Sequence, residues 1–286
     1  MRILRSILYT PGHRADLIEK ASDSGADGLC LVLEDSVPEA RKAEAREVVR
    51  ESIARLASGG RTVLVKVNAL GAGLEQDLEA ILQPGLAGII VPKLQSPDQI
   101  GLLESLLAGT SVETLLLVET PLAAVNAHQL ALAGERCCSL ICGTAAGGDM
   151  ARALGFQWSQ NGLERLYLRS KVLMDARAAG CSLPLDGAYG RVRDLDGLVS
   201  EAAFARQLGY LGKLCLSPAQ VGPVNAVFTP SPEELESAQR VVELFNQALA
   251  EGSAALMVEG EFVDYAMAQS AHAVLELARA IGSLTA

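Results

Sequence analysis

The sequence is short of aromatic residues, basic charge, paired cysteines and long apolar runs, and each shortage removes a class of protein. Phe, Trp and Tyr together make up 4% of the 286 residues. The core must therefore be aliphatic, which favours stacked strands and helices over a sandwich built around aromatics. Lys and Arg number 24 against 34 Asp and Glu, a formal net charge of −10, so the chain lacks the basic surface that nucleic-acid binding needs. A few local cations can still hold an anionic small molecule against that global field. The six cysteines, Cys30, Cys137, Cys138, Cys142, Cys181 and Cys215, include no CxxC pair. Most fall inside apolar runs, as small buried hydrophobes in a reducing compartment do, and not as in a disulfide framework or zinc site. His13, His128 and His272 are too scattered to suggest a nucleophile–base grouping. No run approaches the ~18–20 apolar residues of a membrane span. Met1 to Arg5 lacks a signal-peptide core. A soluble cytoplasmic protein with no membrane or nucleic-acid partner is expected.

What is present is an apolar run that ends in a polar residue, many times over. In the centre of the chain Leu115–Val118 stops at Glu119-Thr120-Pro121, and Ser139–Cys142 stops at Gly143 and a small-residue loop leading to Asp149. Short apolar runs bounded by turn residues read as buried strands of a parallel sheet. Polar residues just past them lie at the carboxyl edge, where such folds gather their chemistry. Glu119 and Asp149 there suit a hard divalent cation with positions open for substrate. They equally suit a solvated loop Asp and a Glu satisfied by backbone donors.

The same unit appears at Ser6–Tyr9, Gly28–Leu33, Val63–Val67, Gly88–Val91, Ser182–Leu185 and Gly212–Leu216. Helical stretches follow, including residues 15–24, 38–57, 97–107, 162–179 and 195–208. Eight strand–helix units over about 230 residues predict a (β/α)8 TIM barrel over residues 1–228. A doubly wound sheet is the alternative, but no glycine fingerprint follows the first strand. Thr10, Glu34, Asp35, Asn68, Lys93, Glu119, Asp149, Asp186 and Ser217 all fall just after strands, which places charges of both signs at one rim. Arg14 and Lys20 add cations after the first strand that can meet an anionic group, although a solvated helix face accounts for them as well.

Residues 229–286 read as a C-terminal helical cap or lid. Ser231, Pro232 and Glu234 form a capped helix start, and Leu235, Ala238, Val242, Phe245 and Leu249 follow at helical spacing before Gly252. A hairpin turning at Glu259-Gly260 comes next, then Asp264 and a last helix over about 267–281. This tail is expected to pack on its own barrel or on a neighbouring subunit.

Arg5-Ser6-Ile7-Leu8-Tyr9-Thr10-Pro11-Gly12, Leu33-Glu34-Asp35-Ser36-Val37, Val91-Pro92-Lys93, Glu119-Thr120, Gly209–Lys213, Pro218-x-Gln220, Phe228-x-Pro230-Ser231 and Gly260–Asp264 occur in that order. As an ordered set they resemble the citrate lyase β-subunit-like family within the HpcH/HpaI aldolase group. The resemblance implies a Mg²⁺-dependent lyase that makes or breaks a carbon–carbon bond in a short hydroxyacyl-CoA of the citryl-, malyl- or citramalyl-CoA type. It implies Glu119 and Asp149 as metal ligands, Lys66 facing the developing oxyanion, and Asp264 as the acid/base at the acyl carbon. Arg14, Lys20, Lys66 and Pro92 become candidates for holding substrate and CoA, and a homo-oligomer, a trimer or a multiple of one, is expected. An aldolase on free 2-oxo acids without CoA is one alternative. A barrel that has lost catalysis and serves as a ligand-binding or complex subunit is the other.

The chain departs from the family pattern in four places. Lys66 stands where the family usually has Arg, and an ammonium cannot form the bidentate fork of a guanidinium. Val32 replaces an acid and Ser217 replaces a His. The loop from Gly143 to Asp149 is longer by three residues, so counting from Gly143 puts Ala146 at the ligand position, whereas counting back from Ala153-Leu154-Gly155 puts Asp149 there.

Overall fold

A computed structural model describes residues 3–250, 252, 256–258 and 261–285. Eight parallel strands close into a barrel in chain order, with the eighth pairing back onto the first. They are β1 (Ser6–Pro11), β2 (Gly28–Val32), β3 (Thr62–Lys66), β4 (Leu86–Pro92), β5 (Glu113–Val118), β6 (Cys137–Cys142), β7 (Leu185–Asp186) and β8 (Gly212–Cys215). The helices between and after them are α1 (Ala15–Ser22), α2 (Lys42–Ser58), α3 (Leu74–Ile81), α4 (Pro97–Leu106), α5 (Pro121–Ala133), α6 (Asp149–Leu154), α7 (Leu163–Ala178), α8 (Leu195–Leu208) and α9 (Pro218–Phe228). This is the expected (β/α)8 barrel. All six cysteines are free, and no described helix is long and apolar enough to cross a membrane.

Strand alternation splits the apolar residues into two cores. Ile7, Cys30, Val32, Leu64, Ile90, Leu115, Leu117, Ile141, Leu185 and Leu214 fill the barrel. Leu29, Leu31, Val63, Val65, Val67, Ile89, Val91, Leu116, Val118 and Leu140 face the helices. The parity fixes what comes next along each strand. Lys66, two beyond Leu64, points inward, and its neighbours Val65 and Val67 point out. Glu34 and Glu119 likewise extend the inner rows of β2 and β5.

The shortest barrel strand is β7, with two residues. Pro184 has no N–H to give the ladder, and the chain enters the sheet only after it. Asp186 was expected on the rim but is turned into the helix layer, because Leu185 takes the inner position. There it pairs with Arg169 at 2.9 Å and with Lys213 at 2.5 Å. Lys213 also lies 3.6 Å from Glu201, which accepts from Arg165 at 2.5 Å. All five side chains are buried. Asn68 also turns away from the rim: its backbone and side-chain N–H groups both donate to Asp77 at 2.7 Å, and its amide donates to the Leu33 carbonyl at 3.1 Å. It ties the end of β3 to the start of β2's loop and to α3.

By internal contacts the chain divides after Phe228. The second unit contains α10 (Pro232–Ala250), an antiparallel pair β9 (Leu256–Val258) and β10 (Glu261–Val263), and α11 (Tyr265–Thr285). The capping box at Ser231 forms: Glu234 N–H donates to Ser231 Oγ and Ser231 N–H to the Glu234 carboxylate. Gly252, beyond α10, takes a left-handed φ of +81°, where a side chain is disfavoured. Glu259-Gly260, the expected hairpin turn, lies outside the described residues. The last helix starts two residues earlier than its apolar spacing suggests, because Asp264 caps it.

Candidate active site

The carboxyl ends of β1 to β6 bring together one set of charges, with Glu34, Lys66 and Glu119 buried and Lys93 and Asp149 half-buried. Lys66 Nζ lies 2.5 Å from Glu34 Oε2, with the two side chains 8% and 6% exposed. Lys93 Nζ reaches the other oxygen of the same carboxylate at 2.8 Å. Glu34 is thus held between two ammoniums, one from β3 and one from the end of β4. Burial opposes charge on all three. The charge of Lys66, with that of Lys93, outweighs it and holds the Glu34 carboxyl below its ordinary value. In return Glu34 and Glu119 keep Lys66 protonated above its own.

Lys93 reaches the mouth through its backbone. By alternation it should follow Val91 outward, but it has φ +61°, the one positive value among described non-glycine residues. A left-handed lysine costs on the order of 1–3 kcal/mol and persists only where its surroundings hold it. Here it is held by Glu34, with Asp149 Oδ2 at 3.5 Å and Asp35 Oδ1 at 3.9 Å. Pro92, just before it, is buried on the inner row after Ile90.

Glu119 is the destabilised member. Its Oε1 is buried without a protein partner. Burial raises its pKa from 4.5 to about 7; Lys66 and Lys93 pull against that, and Glu34 and Asp149 add to it. Space is kept beside it by Gly143, where a Cβ would come within 2.9 Å of Glu119 Cβ. Asp149 opens α6, with one oxygen paired to Arg152 and the other toward Lys93. Ala146 is exposed in the loop before it, so Asp149 is the residue this loop brings to the charge cluster.

Tyr9 completes the inner face. Lys66 Nζ lies 6.0 Å from its ring centroid, and its hydroxyl is buried with no partner. Burial, then the neighbouring Cys30, Glu119 and Glu34, push the phenol well above its usual pKa.

Among the described residues no three His, Cys, Asp or Glu side chains gather as a metal cluster. Mg²⁺ asks for less: one or two carboxylates, with water and substrate oxygens completing an octahedron. Glu119 and Asp149 are two all-oxygen donors, and the partnerless Glu119 Oε1 is where a cation's charge would relieve the most strain. The residues fit the ion.

The remaining candidates sit on other elements. Arg14 precedes α1 at the rim and pairs with Asp16 at 2.7 Å, exposed. Lys20 is in the last turn of α1, six residues and ~9 Å further along a helix leading away from the strand ends. Asp264 belongs to the second unit, where its Oδ1 accepts from the N–H groups of Ala266 at 3.0 Å and Met267 at 3.1 Å. It is a helix N-cap in this conformation. Ser217 Oγ is buried without a partner. The sequence named Glu34 and Lys93 only as rim residues and gave Tyr9 no role. Glu34 was within reach of the strand parity. Lys93 was not, since its backbone breaks that parity.

A family profile described as HpcH/HpaI aldolase/citrate lyase matches residues 5–218. The citrate lyase subunit beta of Leuconostoc mesenteroides subsp. cremoris is 29% identical over 98% of this chain and 94% of its own length. A (3S)-malyl-CoA thioesterase of Cereibacter sphaeroides is 31% identical over 99% of this chain and 97% of its own. Among solved structures, protein CitE from Mycobacterium tuberculosis in complex with magnesium, acetoacetate and coenzyme A superposes with a TM-score of 0.78 at 29% identity. That match covers 96% of this chain and 98% of the other.

Proposed function

This chain belongs to the HpcH/HpaI aldolase/citrate lyase family, and on that premise we propose that it is a Mg²⁺-dependent carbon–carbon lyase acting on a short hydroxyacyl-CoA. The observation that supports this most is the charge cluster at the mouth of the barrel. Two ammoniums held by one carboxylate stand beside a second carboxylate, Glu119, whose pKa is raised to about 7.

In the cleavage direction the 3-hydroxyl gives up its proton, the bond between the hydroxyl-bearing carbon and the carbon next to the thioester breaks, and its electron pair passes to the thioester enolate. A proton at that carbon then completes acyl-CoA, and the other half leaves as an oxo acid. Glu119 and Asp149 would hold Mg²⁺, which when bound would polarise the oxygen of the hydroxy or oxo acid. Lys66 and Lys93 add fixed positive charge where negative charge develops, and Glu34 keeps both ammoniums oriented before substrate arrives, so little reorganisation is needed. Lys66 in place of arginine offers a point charge without a planar fork, which favours an alkoxide or enolate oxygen over bidentate recognition of a carboxylate. Arg14, at the rim, meets a CoA phosphate, with Lys20 behind it.

Residues 1–228 form the catalytic barrel in this reading, and residues 229–286 act as a lid on a neighbouring subunit of a homotrimer. Asp264 on that lid moves the proton at the acyl carbon. A group on a cap can leave its N-cap position and approach after substrate binds, excluding water as it does so.

Incubation with malyl-, citramalyl- and citryl-CoA in Mg²⁺ should release acetyl-CoA and a 2-oxo acid from at least one; chelation should stop the release and added Mg²⁺ restore it. Cleavage of free hydroxy-oxo acids but of no thioester would move the reading to an aldolase without CoA. No turnover of either class would leave a non-catalytic barrel.

The lid has its own test. Glu119→Gln and Asp264→Asn, each inactive alone, are mixed under conditions that allow subunit exchange. Sites assembled from one chain's barrel and another's Asp264 then recover both native groups in part of the population, and activity returns. Continued absence of activity in the exchanged mixture would place Asp264 in its own chain's site.

A further inference from the structure

Tyr9 stands on the inner row of β1, two residues beyond Ile7, with its ring packed on the interior cluster that includes Val32 and Leu117. The ring is half-buried, but the hydroxyl at its end is buried and meets no protein donor or acceptor. The nearby cations have a partner of their own. Lys66 is committed to Glu34 at 2.5 Å, and Lys93 to the other oxygen of the same carboxylate at 2.8 Å. Glu119 Oε1 is buried and also without a partner. Native interiors rarely leave a hydroxyl unsatisfied, since a buried polar group without a partner is a standing cost. Leucine or phenylalanine would fill this position without it.

We propose that the Tyr9 hydroxyl donates a hydrogen bond to an oxygen of the 2-oxo acid half of the substrate, making Tyr9 a binding and positioning residue of the site. The proposal rests on the lyase reading above and deepens it by assigning a recognition element to one half of the substrate. Placement chooses the half. The hydroxyl belongs to an inner-row side chain beside Lys66, Glu34 and Glu119, the groups assigned above to the oxo-acid half and its metal. Charge chooses the contact. Both ammoniums already pair with Glu34, so a neutral phenol recognises an oxygen without adding a charge that would need its own partner.

The test compares Tyr9→Phe with the wild type, because phenylalanine keeps the ring and removes the oxygen alone. Three quantities are measured: thermal unfolding without ligand, calorimetric binding of glyoxylate, pyruvate and oxaloacetate in Mg²⁺, and binding of CoA alone. The expected result is an unfolding temperature unchanged or raised, since a partnerless oxygen has gone. Affinity for the preferred oxo acid should weaken about tenfold, or ~1.4 kcal/mol, with CoA binding unaltered. A purely structural hydroxyl would give the opposite split, with lower thermal stability and unchanged oxo-acid affinity, and that overturns the proposal. Equal affinity with equal stability overturns it too, leaving the lyase reading intact. A wild type that binds none of the three acids in Mg²⁺ overturns the lyase reading and this inference together.

Discussion

Replacing Glu119 with glutamine is expected to stabilise the metal-free protein by about 3 kcal/mol at pH 8 while abolishing Mg²⁺ binding and turnover. The stability change follows from linkage. The folded protein holds the Glu119 proton up to about pH 7, whereas the ordinary value is 4.5. Between these values the native state binds more protons than the unfolded chain, so stability falls as pH rises from about 4.5 to about 7. Above that the loss is complete and constant, and the interval corresponds to about 3 kcal/mol. Burial is the first cause, and Glu34 and Asp149 add to it against the pull of Lys66 and Lys93. Glutamine keeps the shape without the ionisation, so the variant should lose this stretch of pH dependence. Denaturant midpoints at pH 5 and pH 8, with and without Mg²⁺, separate the components. The wild type should gain stability from Mg²⁺ at pH 8 and the variant should not. Equal metal-free stability of the two proteins at pH 8 would show that Glu119 carries no such penalty.

The largest loss of stability is expected from Asp186→Asn, at about 3–5 kcal/mol, with the substituted side chain outside the barrel mouth. Asp186 is 1% exposed and accepts from both Arg169 and Lys213. Asparagine fits the same space but leaves two buried cations with Glu201 as the one other carboxylate near them among the described residues. Removing one partner of a buried ion cluster is far more costly than never having built it. Burial alone would raise the Asp186 pKa, but Lys213 and then Arg169 outweigh it and hold the carboxyl below its ordinary 3.8. The stabilisation is therefore present above that value and is lost as pH falls through the lower folded pKa. Urea unfolding at pH 7 measures the effect. Adding Lys213→Met to Asp186→Asn should recover part of the loss, because it removes one stranded charge and the two sites are coupled. A single variant within about 0.5 kcal/mol of the wild type would mean that water or movement of Glu201 satisfies both cations.

The two carboxylates also mark where sequence reasoning held and where it stopped. Each sits just past an apolar strand. Glu119 follows a run long enough to read its parity, Leu115 and Leu117 inward, and so faces the mouth. Asp186 ends a two-residue strand entered past a proline, and its direction depended on where Leu185 landed. Asn68 differs again: at the end of β3 it is drawn to Asp77 and the Leu33 carbonyl, partners that sequence spacing does not reveal. For the candidate ligand Asp149 two counts of the loop disagree along the sequence, and the count back from Ala153-Leu154-Gly155 picks the residue that the loop carries to Lys93.

The sequence by itself determined the repeated strand–helix unit, the barrel, the family and which strand ends carry charge. Those features are written in local apolar periodicity, in caps and in short motifs, all within a few residues of where they act. Only the tertiary structure decided that Glu34 binds Lys66 and Lys93 together, that Lys93 turns inward through a left-handed backbone, and that Tyr9 is left without a partner. It likewise decided that the Glu119 proton is held to about pH 7. Each of these depends on burial and on charges brought from separate strands. Electrostatic energy depends on distance through space and on exclusion of water, and neither quantity exists along the chain until the barrel has closed.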